Sequence, residues 1–320
     1  ENGKYSAAQQ FFDNYIESHK GINSEEVTAS SWYSAMAAIK LMNNDAESRV
    51  QKFLADNPQS SLGNELLFNL AGYYYQRKSY SNALDYYERT DVKKIQAKDL
   101  PEYYFMSGYS YFLRNDLDKA MFNFSQVKDN SSSKYAPPSL YYYSHINYSK
   151  GNYETALEGF EKLSEDSNFG PIVPYYILQI YYMQGKYDMV TKNAPGLIES
   201  ASEQRLPELQ RITGASYFEL SMFTEAVQWL EKFAASGSAD NDDRYMLGYS
   251  YYRLGNYTKA AENFSKVTSG TSALEQNALY HLADCYLKLN DKNQARMAFA
   301  SASKMEYDKD IRQDALLNYA

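Results

Sequence analysis

The sequence predicts an all-α solenoid of antiparallel helical hairpins, and three observations predict it. First, an aromatic–x–x–small step recurs along the 320 residues: Tyr5/Ala8, Asn43/Ala46, Tyr80/Ala83, Leu117/Ala120, Tyr153/Ala156, Tyr187/Val190, Phe223/Ala226, Tyr257/Ala260 and Lys292/Ala295, with Asn43, Leu117 and Lys292 in the aromatic's place. Second, successive small residues lie 38, 37, 37, 36, 34, 36, 34 and 35 positions apart, the length of one helical pair. Third, other small and large residues keep fixed distances from these anchors, as interdigitated helices require.

Residues 4–19 read as a second helix with no first helix before it. The hairpins that follow are clearest at 243–267. There Leu247, Tyr251 and Leu254 recur at helical spacing. Gly255-Asn256 ends that helix with left-handed or turn conformations. Tyr257, Ala260, Ala261, Phe264 and Val267 then form the buried face of a second helix. Twelve residues before the anchors come Ala71, Gly108, Ser144, Gly214, Gly248 or Ala283. Four after them come Phe12, Val50, Tyr87, Phe124, Phe160, Leu230, Phe264 or Phe299, and nine before sits Tyr74, Tyr111, Tyr181, Tyr217, Tyr251 or Tyr286. Two helices approach closely where a side chain is nearly absent, and the large residue fills the space left.

The repeat at 174–202 is the weakest, with Leu178 at a small position, Ala194 at a large one, and Pro195-Gly196 following. An interior proline costs about 3 kcal/mol, so the second helix is expected to end near Asn193, with a bend or a loosened interface around 190–200. QDALLNYA (313–320) matches QNALYHLA (276–283), which places the last residues inside a first helix. The array is expected to run as a single domain over 1–320, with about eight hairpins and partial repeats at both ends. Because both ends fall within repeats, the sequence is expected to be an excised segment of a longer repeat protein.

Composition narrows the function. A net charge of −8 argues against a phosphate-backbone partner, so no nucleic acid is expected. No apolar run approaches the ~18 residues of a membrane span, so no direct membrane insertion is expected. Cys285 is the single cysteine, which excludes an internal disulfide, and its place in a packed first helix predicts a buried, inert thiol. His19, His145 and His281 lie in distant repeats, with His145 a groove candidate and the others ordinary helix residues. Glu25-Glu26 and Asp242-Asp243 fall at helix starts, where capping explains them. No phosphate loop, zinc spacing or nucleophile elbow is present, and neither catalytic residues nor a cofactor is expected.

These positions resemble the tetratricopeptide repeat, with its L-G-x-x-Y … A-x-x-x-F signature and its period of about 34 residues. LGYSYYRLGNYTKAAENF (247–264) carries every element and SGYSYFLRNDLDKAMFNF (107–124) nearly every one. The resemblance covers almost the whole chain. It departs from the family pattern where Leu67, Tyr104, Leu140 and Leu279 replace the first-helix Trp, and where the closing Pro survives only as Pro58.

The resemblance implies a right-handed superhelix with first helices on the concave side, where partner peptides dock. By register, the groove candidates lie 15, 11 and 8 residues before each anchor. They are Phe68 and Tyr75; Phe105, Tyr109 and Phe112; Tyr141, His145 and Tyr148; Tyr175, Gln179 and Tyr182; Arg211 and Phe218; Tyr245, Tyr249 and Tyr252; Tyr280 and Asp284. The chain holds 34 Tyr, which either fill packing positions with hydroxyls in solvent or line this recognition surface. Only Arg211, Arg253 and Lys288 lie on or beside the groove, so an apolar or aromatic-rich protein segment is expected rather than an acidic peptide C-terminus. Burial of the stripe between repeats, carbohydrate stacking, RNA binding and a role as docking arm of a larger enzyme stand as alternatives. The long Tyr-rich repeats also resemble those of bacterial cell-envelope assembly proteins, such as outer-membrane assembly lipoproteins and Tol-Pal coordinators. That implies a periplasmic or outer-membrane-associated setting, with the cytoplasm as alternative.

Overall fold

The computed structural model describes residues 2–267 and 272–319. Glu1 and Ala320, the outer limits of the expected array, lie outside the described residues. Among the described residues there are eighteen α-helices, one short 3-10 helix and no strand. They fall into two compact units, Glu1–Val173 and Pro174–Ala320.

The first unit opens with α1 (Asn2–Ser18), a lone second-type helix packed on α2. Four helical pairs follow: α2 (Glu25–Lys40) with α3 (Ala46–Asp56), α4 (Leu62–Gln76) with α5 (Tyr80–Arg89), α6 (Leu100–Leu113) with α7 (Leu117–Ser125), and α8 (Ala136–Ser149) with α9 (Tyr153–Lys162). In the second unit α10 (Val173–Met183) precedes α11 (Tyr187–Glu199), α12 (Leu206–Glu219) pairs with α13 (Phe223–Ala234), α14 (Asn241–Arg253) with α15 (Tyr257–Phe264), and α16 (Ala273–Lys288) with α17 (Lys292–Ser303). A lone first-type helix, α18 (Lys309–Tyr319), closes it. First helices also touch the next first helix, α2 on α4 and α4 on α6 in one unit, α12 on α14 and α14 on α16 in the other.

Local chemistry sets the helix boundaries. Prolines occupy the first turns of α6, α8 and α12, where a missing N–H costs no hydrogen bond. First helices end on a residue of positive φ: Gly151, Gly185 and Gly255, but also Lys78, Asn115, Ser221 and Asn290 at 58–62°. The next residue's N–H reaches back into the helix, Asp116 to the Tyr111 carbonyl at 3.0 Å and Asn256 to that of Tyr251 at 2.9 Å. Asp116 and Asn256 then cap the second helix with their side chains. A left-handed backbone costs an L-residue about 1–2 kcal/mol, more than glycine loses by its freedom in the unfolded chain. Ser221→Gly is therefore expected to stabilise the second unit by about 0.5 kcal/mol, read as a higher urea midpoint.

Packing follows the anchor register. Anchors Ala46, Ala83, Ala120, Ala156, Val190, Ala226, Ala260 and Ala295 are buried, whereas Ala8 on α1 is half-buried. The large residues four positions on, from Val50 to Phe299, are buried as well. A Cβ added at Gly108 would lie 3.1 Å from Phe124, and one at Gly248 would lie 3.0 Å from Phe264. At these two hairpins the backbone of the first helix thus rests directly on the large residue of its own partner helix.

The expected end of α11 near Asn193 is corrected: the helix runs through Pro195 to Glu199. Apolar residues on both sides of the proline hold it. Val190, Ala194, Leu197 and Ile198 share one cluster with Leu178, Leu209 and Ile212, so burial over two further turns offsets the lost hydrogen bond.

Many tyrosine hydroxyls are not left to solvent but tie one repeat to the next. Tyr74 donates to Glu47 at 2.6 Å, and Tyr86 donates to the same carboxylate. Tyr111 donates to Glu88 at 2.7 Å while Lys119 pairs with it at 3.1 Å. The second unit repeats this clasp with Tyr251 and Lys259 on Glu231. The Tyr111 hydroxyl and then Lys119 hold the Glu88 carboxyl below its ordinary range, and Lys259 followed by Tyr251 does the same to Glu231. A carboxyl so depressed adds stability above its unfolded pKa of about 4.3 and loses it as pH falls through the folded value. These side chains are about half exposed, so solvent screening keeps each contribution below about 1 kcal/mol. Glu88→Gln/Glu231→Gln is expected to lower the pH 7 urea midpoint, with the gap to wild type closing between about pH 5 and pH 3.

Candidate partner-binding face

The eighteen residues that the register assigned to a groove are all half-buried on first helices, and the rings among them form packed rows. In the row 15 residues before each anchor, rings rest on the large residue of the partner helix. Phe68 lies on Tyr87, Phe105 on Phe124, Tyr141 on Phe160, Tyr245 on Phe264 and Tyr280 on Phe299, with centroids 5.7–6.4 Å apart. Linkers between repeats cover several of them. Tyr135 stacks on Phe105 at 5.3 Å, Phe169 on Tyr141 at 4.8 Å, and the Arg205 guanidinium lies 4.9 Å from the Tyr175 centroid.

In the row eight residues before the anchors, five rings meet the first aromatic of the following helix, while Phe112, whose following helix starts on Leu117, meets Tyr142 instead. Tyr75 meets Tyr80, Tyr148 meets Tyr153, Tyr182 meets Tyr187, Phe218 meets Phe223 and Tyr252 meets Tyr257, at 5.7–6.1 Å. Residues eleven before the anchor join neighbouring repeats within a unit. Tyr109 approaches Tyr75 at 6.0 Å, His145 approaches Phe112 at 5.9 Å, and Tyr249 approaches Phe218 at 5.9 Å. Arg211 makes two hydrogen bonds to Glu208, both at 2.9 Å, and lies over the Tyr182 ring.

Two elements escaped the register. One is His281, expected to be an ordinary helix residue. Its ring stacks on Phe264 at 5.6 Å and meets Tyr249 and Tyr252 at 5.2 Å each, and burial lowers its pKa. The other is a cleft of about 370 Å³ in the first unit, between α2, α4, α6 and the linker after α5. Met36, Phe68 and Ile95 give it apolar wall, and Lys40, Glu65, Asn69, Lys94, Asp99 and Glu102 surround that wall with charge and amide. Lys40 donates to Asn69 at 3.1 Å, while Asn64 exchanges two hydrogen bonds with the Asp91 backbone and so fixes the linker. Among these residues the register singled out only Phe68, because the polar ones do not recur from repeat to repeat. Burial pushes the Cys285 thiol up to about 12, as fits an inert side chain. Among the described residues no group of three or more His, Cys, Asp or Glu is placed to hold a metal ion.

Residues 43–99 match the family model described as tetratricopeptide repeat, and 219–302 match that of anaphase-promoting complex, cyclosome, subunit 3. No curated protein shows significant similarity to the chain. Among solved structures, the chain is similar to the C-terminal part of a TPR repeat-containing protein from Cytophaga hutchinsonii, at 15% identity and a TM-score of 0.54 over 78% of this chain and 99% of that one. YrrB, described as a TPR protein with an unusual peptide-binding site, aligns at 16% identity and a TM-score of 0.51 over 61% of this chain and 97% of its own. A tetratricopeptide repeat protein from Parabacteroides merdae aligns at 14% identity and a TM-score of 0.46 over 80% and 98%.

Proposed function

This chain is an array of tetratricopeptide repeats, and we propose on that premise that it is a non-catalytic scaffold holding a segment of a partner protein on its first-helix face. The cleft between α2, α4 and α6 carries the reading. It is concave, it joins an apolar wall to a few polar groups, and it lies on the first helices, which carry the half-buried aromatic rows. YrrB, alike in fold, is described as having a peptide-binding site, which supports a peptide as the class of occupant. A bacterial cell-envelope setting rests on the Tyr-rich style of the repeats. Among the described residues no helix is long and apolar enough to cross a membrane.

Affinity capture from the source organism tests the proposal. The comparison sets wild type against Lys40→Glu/Asn69→Ala, with Glu158→Lys on the exposed side of α9 as control and helicity checked for each. A partner held by wild type and control but lost by the cleft variant is expected. Equal capture by all three would overturn the reading. Alanine at Tyr109, Tyr141 or Tyr175 is a poorer probe, because these rings also carry packing.

A further inference from the structure

Three first helices in each unit differ at their C-caps in a way the fold does not require, while α2 of the first unit ends on the half-buried Leu41. In the first unit α4, α6 and α8 end on Arg77, Arg114 and Lys150. Each reaches back to the preceding repeat: Arg77 to Asn44 at 3.1 Å, Arg114 to Ser81, and Lys150 to Asp118 at 2.5 Å. A cation there also suits the negative end of the helix dipole. In the second unit α12, α14 and α16 end instead on Leu220, Leu254 and Leu289, which are 39%, 47% and 42% exposed. Met222 and Leu287 beside them are exposed too. The same turn is built elsewhere in the chain with basic residues, so these leucines give up the tie and the dipole contact without gaining burial.

We propose that this edge of the second unit binds an amphipathic helix of a partner protein, with one apolar residue per heptad and an acidic flank. Spacing fixes the first property. α12 touches α14 and α14 touches α16. Packed helices lie about 8–10 Å apart, and a helix advances about 10.5 Å in seven residues, so one heptad meets one leucine per repeat. Charge fixes the second. Arg253, Lys288 and Lys292 are exposed around Leu254 and Leu289, where they outnumber the exposed Asp291, and none forms an ion pair among the described residues. The Arg253 guanidinium lies 4.7 Å from the Phe223 centroid, held at the surface. Glu219, beside Leu220, gives the α12 end the opposite sign and so sets the acidic flank over α14 and α16.

The probe is a labelled 21-residue helical peptide with leucine once per heptad and glutamate flanks, titrated by fluorescence anisotropy against the full chain. Leu220→Lys/Leu254→Arg/Leu289→Arg, which copies the first unit, is expected to bind it at least ten-fold more weakly with unchanged helicity. If the triple variant does not fold, Leu254→Arg alone serves. Wild type is expected to lose affinity as salt rises and to bind a lysine-flanked peptide at least ten-fold less well. Lys40→Glu/Asn69→Ala is expected to bind as wild type does, which separates this edge from the first-helix cleft. Equal affinity of wild type and leucine variant, or no binding by wild type, would overturn the proposal. Concentration-dependent dimerisation of wild type that the leucine substitutions abolish would overturn it as well, assigning the edge to a second copy of the chain.

Discussion

Phe264→Ala is expected to destabilise the second unit by about 3–5 kcal/mol. The ring is fully buried, stacks on His281 at 5.6 Å and meets Tyr245 at 5.7 Å. Its floor is the backbone at Gly248, which has no side chain to move into the vacated space. A cavity so walled relaxes little, which places the cost toward the upper end of the range for aromatic truncations. Stability in a repeat array is a sum of local terms, so the damage should centre on α14, α15 and α16. Urea unfolding gives the magnitude, and native-state hydrogen exchange gives the place. A loss below about 1 kcal/mol would show that the large residue is not what holds the hairpin together.

Gly214→Val is expected to cost about 3 kcal/mol by the opposite route. A Cβ there would stand 2.7 Å from Leu230 Cγ and 3.0 Å from the Leu230 backbone nitrogen. The leucine side chain can yield to such a contact, but the backbone of α13 cannot without moving the helix. Valine's better helix propensity returns only a few tenths of a kcal/mol. Leu230→Ala in the same background frees part of the space, so the pair should be non-additive by about 1–2 kcal/mol in a double-mutant cycle. Strict additivity would mean that α12 and α13 are not in contact at this point.

The helical pairs and their register were legible because close packing depends on residue size, and size is written in residue identity. Gly248 opposite Phe264 is legible in the sequence alone. Backbone conformation was legible only where glycine marked it. Gly255 announced its left-handed turn, whereas Lys78 and Ser221 adopt the same φ and give no sign of it. Pro195 misled for a related reason, since its local cost was plain while the apolar cluster that offsets it is spread over α10 and α12 as well. The Tyr111–Glu88–Lys119 clasp was in reach, because Tyr251, Glu231 and Lys259 repeat it one for one. The candidate face was the least legible. Tyr135 and Phe169 come from linkers of different length, so no fixed offset could predict that they would cover Phe105 and Tyr141.

The clasps between repeats reach no further along the chain than the 39 residues separating Tyr86 from Glu47. Every partner needed to complete a repeat has therefore been synthesised by the time the following one emerges. At ~5–20 residues per second, a ribosome takes about 2–7 seconds per repeat, far longer than helices need to form and dock. Within each unit a hairpin can settle on its predecessor as it leaves the exit tunnel, so that about one repeat's worth of apolar surface waits for its partner at a time.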